Sequence, residues 1–155
     1  MELGKINKKR DVVVLVFGEI DCRMHINKQF LKHGETTSIP ELINETISKY
    51  SEAIKQVNDA GYSIFVHGIV PAATQENIYN NPYYADRKTR LIINREFNKQ
   101  LKSFCIKNGY RYLDIQSKFA DESGFISKYF STDGLHLNLK AILIIEKMLD
   151  RELGP

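Results

Sequence analysis

The chain has 155 residues, and this length favours one domain over two. Hydrophobic residues make up 43% of it and charged residues 26%, proportions close to globular averages that exclude wholesale disorder. The 22 basic and 19 acidic residues leave a net charge of +3, which is too small and too evenly spread to indicate a nucleic-acid partner. We predict a basic N-terminal tail over residues 1–10 and a single α/β domain over residues 11–155.

Cysteine usage and hydropathy bear on the compartment. Cys22 and Cys105 are too few for a disulfide framework, and free thiols favour a reducing compartment. The longest apolar runs fall far short of the ~20 residues that cross a bilayer. The basic N-terminus is not followed by the apolar segment of a signal peptide, because Gly18, Glu19 and Asp21 interrupt the run. We therefore expect a cytoplasmic protein with no membrane partner.

The first half of the chain predicts one strand and one helix. Asp11–Phe17 reads DVVVLVF, a continuous β-branched run that predicts a strand buried on both faces, as in a parallel sheet. Gly18 then opens a polar stretch, GEIDCRMHI. Further on, Ser38 and Glu41 fit a capping box, and the apolar spacing behind them predicts a helix from about residue 39 to 60.

The second half continues the alternation of strand and helix. Its predicted elements are a strand at Tyr62–Val66, a loop at 72–85, a helix between Asp86 and Gly109, a strand at Tyr110–Ile115, and a helix from Leu139 to Leu149. This order favours a parallel sheet with helical crossovers. Three strands are few for such a sheet and leave an unpaired hydrophobic edge, so we expect a homodimer or an upstream segment to complete it.

Polar residues follow the predicted strands at the positions where open α/β sheets bind ligands. The segments Gly18–His25 and His67–Ala72 follow two strands, and Ser131–Asn138 precedes the last helix. Because ligands bind at the carboxyl ends of parallel strands, we predict that these segments converge on one rim.

Asp133 and His136 are the clearest catalytic candidates. Residues three apart in a helical turn share a face, so the carboxylate can hold the imidazole in one tautomer and stabilise its charged form. That arrangement is the orienting acid and general base of a hydrolytic triad. The alternative is that Asp133 forms a turn or caps the helix while His136 is merely exposed.

The same residues carry a family resemblance that covers about residues 11–152. Asp133-Gly134-Leu135-His136, followed by a closing apolar helix, resembles the Asp-x-x-His block of the SGNH (GDSL-like) hydrolases, and Gly18-Glu19-Ile20-Asp21 resembles their Gly-x-Asn-Asp block. The string FGEIDCR is similar to SGNH-like proteins associated with bacterial surface polysaccharides. The resemblance implies a flavodoxin-like three-layer α/β/α fold and an esterase that removes an O-acyl group, such as acetyl, from a carbohydrate or similar small polar substrate.

The resemblance also implies roles for residues. His136 would be the base and Asp133 its orienter, with no metal and no cofactor. The oxyanion and substrate pocket would comprise Gly18, Glu19, Asp21, Arg23, His67 and Gly68.

The chain also departs from the family. The family's nucleophilic Ser and an oxyanion-hole glycine lie upstream of the Gly-x-Asn-Asp block, but only seventeen residues precede Gly18 here, and none is Ser. The oxyanion-hole Asn is replaced by Ile20, for which Arg23 is a candidate substitute. A non-catalytic, vestigial binding or scaffold domain linked to polysaccharide biosynthesis is therefore the alternative function.

A third hypothesis places the chemistry on Cys22. A thiol close to His25 could form a nucleophile pair, and Asp21 could join the two in a metal site. Three ligands so close in sequence, without a second cluster, are a weak metal signal. The alternative is that Cys22 packs as a small buried residue while Arg23 and His25 line a polar pocket.

The long second loop has two further candidates. Its aromatic residues could stack on a sugar ring or cover the protein's own core; they are Tyr79, Tyr83 and Tyr84. Arg87 and Arg90 follow, and we expect one of them to meet a substrate carboxylate or a core Asp.

Overall fold

The computed structural model describes residues 7–8, 11–33, 36–76 and 80–154. Its strands are β1 (Val12–Leu15), β2 (Ser63–His67) and β3 (Arg111–Leu113). Its helices are α1 (Ile26–His33), α2 (Ile39–Asp59), α3 (Arg87–Lys107), α4 (Ile115–Phe119) and α5 (Leu139–Leu153). A π-helical turn, Asp21–His25, leads directly into α1. Most of the predicted tail lies outside the described residues, although Lys8 donates a hydrogen bond of 2.5 Å to the carbonyl of Ala60.

The three strands form one parallel sheet in the order β1-β2-β3. Val14 pairs with Phe65, and Val66 pairs with Tyr112. Side chains alternate between the two faces of the sheet, as the period of two requires. Val13, Leu15 and Val66 pack toward α2 and α3, and Val12, Val14 and Phe65 pack toward α4 and α5. The result is the predicted three-layer α/β/α arrangement.

β1 is less buried than its sequence predicts. All four of its residues are half-buried, whereas Phe65 and Val66 of β2 are fully buried. Within the described residues β1 pairs only with β2, so its outer side has no neighbouring strand. Directly after it, the Val16 side chain is 67% exposed. The uninterrupted β-branched run thus ends at an open edge of the sheet.

The helix ends follow their capping residues. Ser38 caps α2 in the predicted capping box, with Glu41 accepting from the Ser38 backbone N–H at 2.7 Å. Asp86 caps α3 by accepting from the Thr89 N–H at 3.0 Å. Asn138 caps α5. The predicted boundaries of these helices are confirmed to within a few residues, whereas α1 and the short α4 are additions to the predicted elements.

Among the described helices, none combines the length and the apolar composition that crossing a bilayer requires.

Candidate functional site

The strand ends and the turn before α5 enclose one cleft of about 680 Å³. The predicted site residues that line it are Gly18, Glu19, Asp21, His67, Gly68 and His136. The cleft is also lined by Ile20, His25 and Tyr50. The three polar segments therefore converge on one rim, as the position of strand ends in a parallel sheet predicts.

Asp133 holds His136 in a fixed geometry. The Asp133 Oδ2 lies 2.6 Å from the His136 Nδ1, and its Oδ1 accepts the backbone N–H groups of His136 at 2.8 Å and of Leu135 at 2.9 Å. The backbone N–H of His136, then its ring, and then the N–H of Leu135 hold the pKa of Asp133 well below its usual range. The carboxylate is therefore ionised, and it engages Nδ1, which leaves Nε2 as the nitrogen for a substrate.

A glycine conformation and a side-chain hydrogen bond stabilise the turn that carries this pair. Gly134 adopts a φ of +71°, and a Cβ there would lie 2.9 Å from the Thr74 hydroxyl oxygen. Gln75 donates to the Asp133 carbonyl. Because Asn138 caps α5, Asp133 is not the helix cap and instead closes the turn onto its own backbone. Both side chains are accessible, with the His136 side chain 76% exposed.

The Gly-x-x-Asp block takes a tight course after β1. Gly18 has a φ of +95°, and a Cβ there would lie 2.8 Å from the Ile69 Cδ1. Glu19 forms an ion pair with Arg23 at 3.2 Å. Burial raises the pKa of Glu19 more than the charges of Arg23 and His136 lower it. Ile20 presents an apolar side chain to the cleft.

Asp21 belongs to a second carboxylate–histidine pair. Its Oδ1 lies 3.0 Å from the His25 Nδ1, and its Oδ2 accepts from the Tyr50 hydroxyl. Burial, and next the hydrogen bond to Asp21, raise the pKa of Tyr50 well above its usual range. The sequence brought Asp21 and His25 together only as possible metal ligands beside Cys22, and the support that Tyr50 of α2 gives to Asp21 could not be seen in the polar stretch.

His67 and Gly68 lie at the end of β2. His67 is 8% exposed, and burial lowers its pKa more than its contact with the Gly68 backbone raises it, which favours the neutral imidazole. A Cβ at Gly68 would lie 2.5 Å from the Tyr112 hydroxyl oxygen, so only glycine fits against β3 there. Both residues therefore line the cleft from a tightly packed strand end.

A row of polar side chains on α3 fixes the loop after β2. Asn98 accepts from the Ile69 N–H at 2.7 Å, Asn94 donates to the Val70 carbonyl at 2.7 Å, and Arg90 donates to the Ala73 carbonyl at 3.1 Å. All three side chains are buried, although residues of this kind seldom are unless they are paired. Their spacing of four residues on one helix was the available signal.

The candidate residues of the second loop have structural contacts. Arg90 binds backbone carbonyls and stacks on the Tyr84 ring at 4.4 Å. The expectation that Arg87 or Arg90 meets a substrate carboxylate stays a prediction. Arg87 stacks on the Phe125 ring at 4.4 Å. Tyr84 is buried, which supports the core-covering alternative for it, and Tyr79 lies outside the described residues.

Cys22 does not suit the role of nucleophile. It is 3% exposed, and burial, followed by the charges of Asp21 and Glu19, raises the pKa of its thiol well above the usual range. It packs as a small core residue, as does Cys105. Within the described ranges, no group of three or more His, Cys, Asp or Glu side chains is arranged to hold a metal ion.

Comparison with solved structures shows the fold. The chain is similar to a GDSL-like lipase from Bacteroides thetaiotaomicron, with 14% identity, a TM-score of 0.59, and coverage of 71% of this chain and 51% of that one. It is also similar to a protein assigned as an acylhydrolase from Bacteroides fragilis, with 15% identity, a TM-score of 0.64, and coverage of 91% of this chain and 60% of that one.

These likenesses confirm the predicted flavodoxin-like fold. They confirm the resemblance to the SGNH (GDSL-like) hydrolases only as a resemblance of fold. No protein-family model matches the chain, and no curated protein sequence matches it. The chain spans only about half to three-fifths of the length of the two solved structures.

Proposed function

We propose that the protein is an SGNH-type ester hydrolase that removes an O-acyl group, such as acetyl, from a carbohydrate or similarly polar substrate. The observation that carries this proposal is the 2.6 Å contact between the Asp133 carboxylate and the His136 Nδ1 at the rim of the cleft. An imidazole held in this way takes a proton from a hydroxyl nucleophile at Nε2, and the carboxylate stabilises the imidazolium that results.

The nucleophile of this reaction is proposed to come from outside the described residues. Among the described residues that line the cleft there is no Ser, Thr or Cys. The cleft borders the open side of β1 through Val16, which is 67% exposed, and Ile20, which is 51% exposed. We propose that additional sequence, or a second copy of the chain, adds a strand along β1 and brings the missing hydroxyl to the cleft.

Ester hydrolysis tests the proposal. We expect weak or no turnover of p-nitrophenyl acetate by the 155-residue chain, and robust turnover by the protein extended upstream or assembled with its partner. His136→Ala should abolish that turnover, while His33→Ala, on the exposed end of α1, should leave it unchanged. Turnover that survives His136→Ala in the assembled protein would contradict the proposal.

A non-catalytic binding domain is the second candidate. It is favoured by Ile20, whose apolar side chain lines the cleft, at the position where the resemblance implies an oxyanion-hole Asn. Loss of such a donor costs a rate factor of roughly 100 to 1,000. A serine-directed phosphonate distinguishes the two candidates: it should label an assembled hydrolase, and it should label nothing if the domain only binds acetylated oligosaccharides.

We also propose that the protein is bacterial, acts in polysaccharide metabolism and works in the cytoplasm. The two buried, free cysteines support a reducing compartment. Fractionation of the source cells, followed by immunodetection, tests the location.

A further inference from the structure

The second carboxylate–histidine pair is formed by an uncommon backbone geometry. The N–H of Ile26 donates to the carbonyl of Asp21, which makes a single π-helical turn. This turn places the His25 Nδ1 3.0 Å from the Asp21 Oδ1. Single π-helical turns are rare, and those that occur are often found at functional sites.

The carboxylate of this pair is anchored from behind. Tyr50 donates its hydroxyl to the Asp21 Oδ2, and the Tyr50 ring packs against Phe17 at 4.3 Å and Phe97 at 6.1 Å between centroids. The His25 side chain remains 57% exposed. The chain of contacts from Tyr50 through Asp21 to His25 thus fixes a ring that is itself accessible.

His25 and His136 line the same cleft. In both, the Nδ1 is engaged by a carboxylate, so Nε2 is the nitrogen that each ring offers to a bound molecule. The two rings come from different segments of the rim. Besides His136 and the buried His67, the cleft therefore has an accessible imidazole, His25, that a single general base does not require.

We propose that His25 is a second acid–base residue of the ester hydrolase and that it protonates the leaving alcohol. This inference rests on the proposed function. In the first step, a hydroxyl nucleophile bonds to the acyl carbon and gives its proton to His136, while the bond from that carbon to the leaving oxygen breaks. The leaving oxygen keeps the electron pair and takes the proton of the His25 imidazolium.

The second step restores both rings. Water adds to the acyl carbon and gives a proton to His25, and the bond from that carbon to the nucleophile's oxygen breaks. That oxygen takes the proton from His136. The sum of the two steps is one ester and one water converted to one acid and one alcohol, with each imidazole returned to its starting state.

The test compares two esters with different leaving groups in the assembled protein. p-Nitrophenolate is a stable anion that leaves without protonation, whereas the alkoxide of an acetylated monosaccharide needs a proton. We expect His25→Gln to lower kcat/KM for the sugar acetate about 100-fold or more, and that for p-nitrophenyl acetate less than about threefold. His33→Gln is the matched control on the same helical segment and should change neither.

The outcomes separate the two proposals. If His136→Ala abolishes turnover but His25→Gln lowers both esters equally, or neither, the proton-donor role is overturned and the hydrolase stands. If no preparation shows His136-dependent turnover, the proposed function fails, and the role of His25 falls with it. Circular dichroism of each variant shows whether a loss reflects the site or the fold.

Discussion

The cleft contains two histidines that are each held at Nδ1 by a carboxylate, but the two carboxylates are stabilised in different ways. Asp133 accepts two backbone N–H groups from its own turn, whereas Asp21 accepts a hydroxyl from Tyr50 on another helix. The first pair is therefore complete within four consecutive residues. The Asp21–His25 contact is also local, four positions apart in the π-helical turn, but its carboxylate gains the Tyr50 hydroxyl only when α2 has packed against the turn after β1. A local contact can be inferred from sequence, and a donor brought by tertiary packing cannot.

The largest expected effect comes from the carboxylate of the local pair. Asp133→Asn keeps the shape of the turn but removes the charge that stabilises the His136 imidazolium. We expect kcat/KM for ester hydrolysis to fall roughly 1,000-fold or more in the assembled protein. The fold should be retained, because the backbone N–H groups keep an acceptor.

The equivalent change in the other pair should cost less. In Asp21→Asn the Tyr50 hydroxyl keeps an acceptor, and we expect kcat/KM for a sugar acetate to fall about 10- to 100-fold, since the proton transfers at His25 are weakened while those at His136 are not. An Asp21→Asn variant that is as damaged as Asp133→Asn on both esters would mean that the two pairs are not distinct in function.

Substitution of Gly18, which precedes the Asp21–His25 pair, should cost more stability than substitution of Gly134, which lies between Asp133 and His136, because Gly18 is more tightly packed. A Cβ at Gly18 would meet the Ile69 Cδ1 at 2.8 Å and the Phe97 ring at 3.1 Å, within the core. A Cβ at Gly134 would lie 2.9 Å from the Thr74 hydroxyl, which can rotate away, and in ordinary contact with the flexible Gln75 side chain at 3.6 Å. We expect Gly18→Ala to reduce the free energy of unfolding by about 2–4 kcal/mol and Gly134→Ala by about 1 kcal/mol.

Urea denaturation of both glycine variants measures this difference, with Gly109→Ala as the control for positive φ alone, since nothing lies within 4 Å of its Cβ position. Equal losses at Gly18 and Gly109 would show that the close contact with Ile69 is relieved at no cost.

The sequence predicted the parts of the molecule that depend on local chemistry. The capping box at Ser38 and the Asp133–His136 contact both act within a few residues, and each was found where expected. The order of strands and helices followed from hydrophobic periodicity for the same reason.

The parts that were missed depend on contacts between distant segments. Burial along β1 is set by the absence, among the described strands, of a neighbour on its outer side rather than by its own residues. The carbonyl oxygens that bind Arg90 are brought to it by the loop after β2. The π-helical turn has no established sequence signature, and its partner Tyr50 lies 29 positions away from Asp21.

The smallest effect is expected in the titration of Asp133. Its backbone and ring hydrogen bonds lower the folded-state pKa below the ~3.9 of an unfolded Asp, so its contribution to stability is fully present above that value. That contribution should disappear as pH falls from about 4 toward the folded-state pKa. Carboxyl-carbon NMR should show Asp133 titrating below the ~3.9 of an unfolded Asp, and Asp133→Asn should flatten the acid limb of the stability curve. A midpoint for Asp133 at or above that value would mean that the turn does not hold its carboxylate, and the contrast between the two pairs would then be lost.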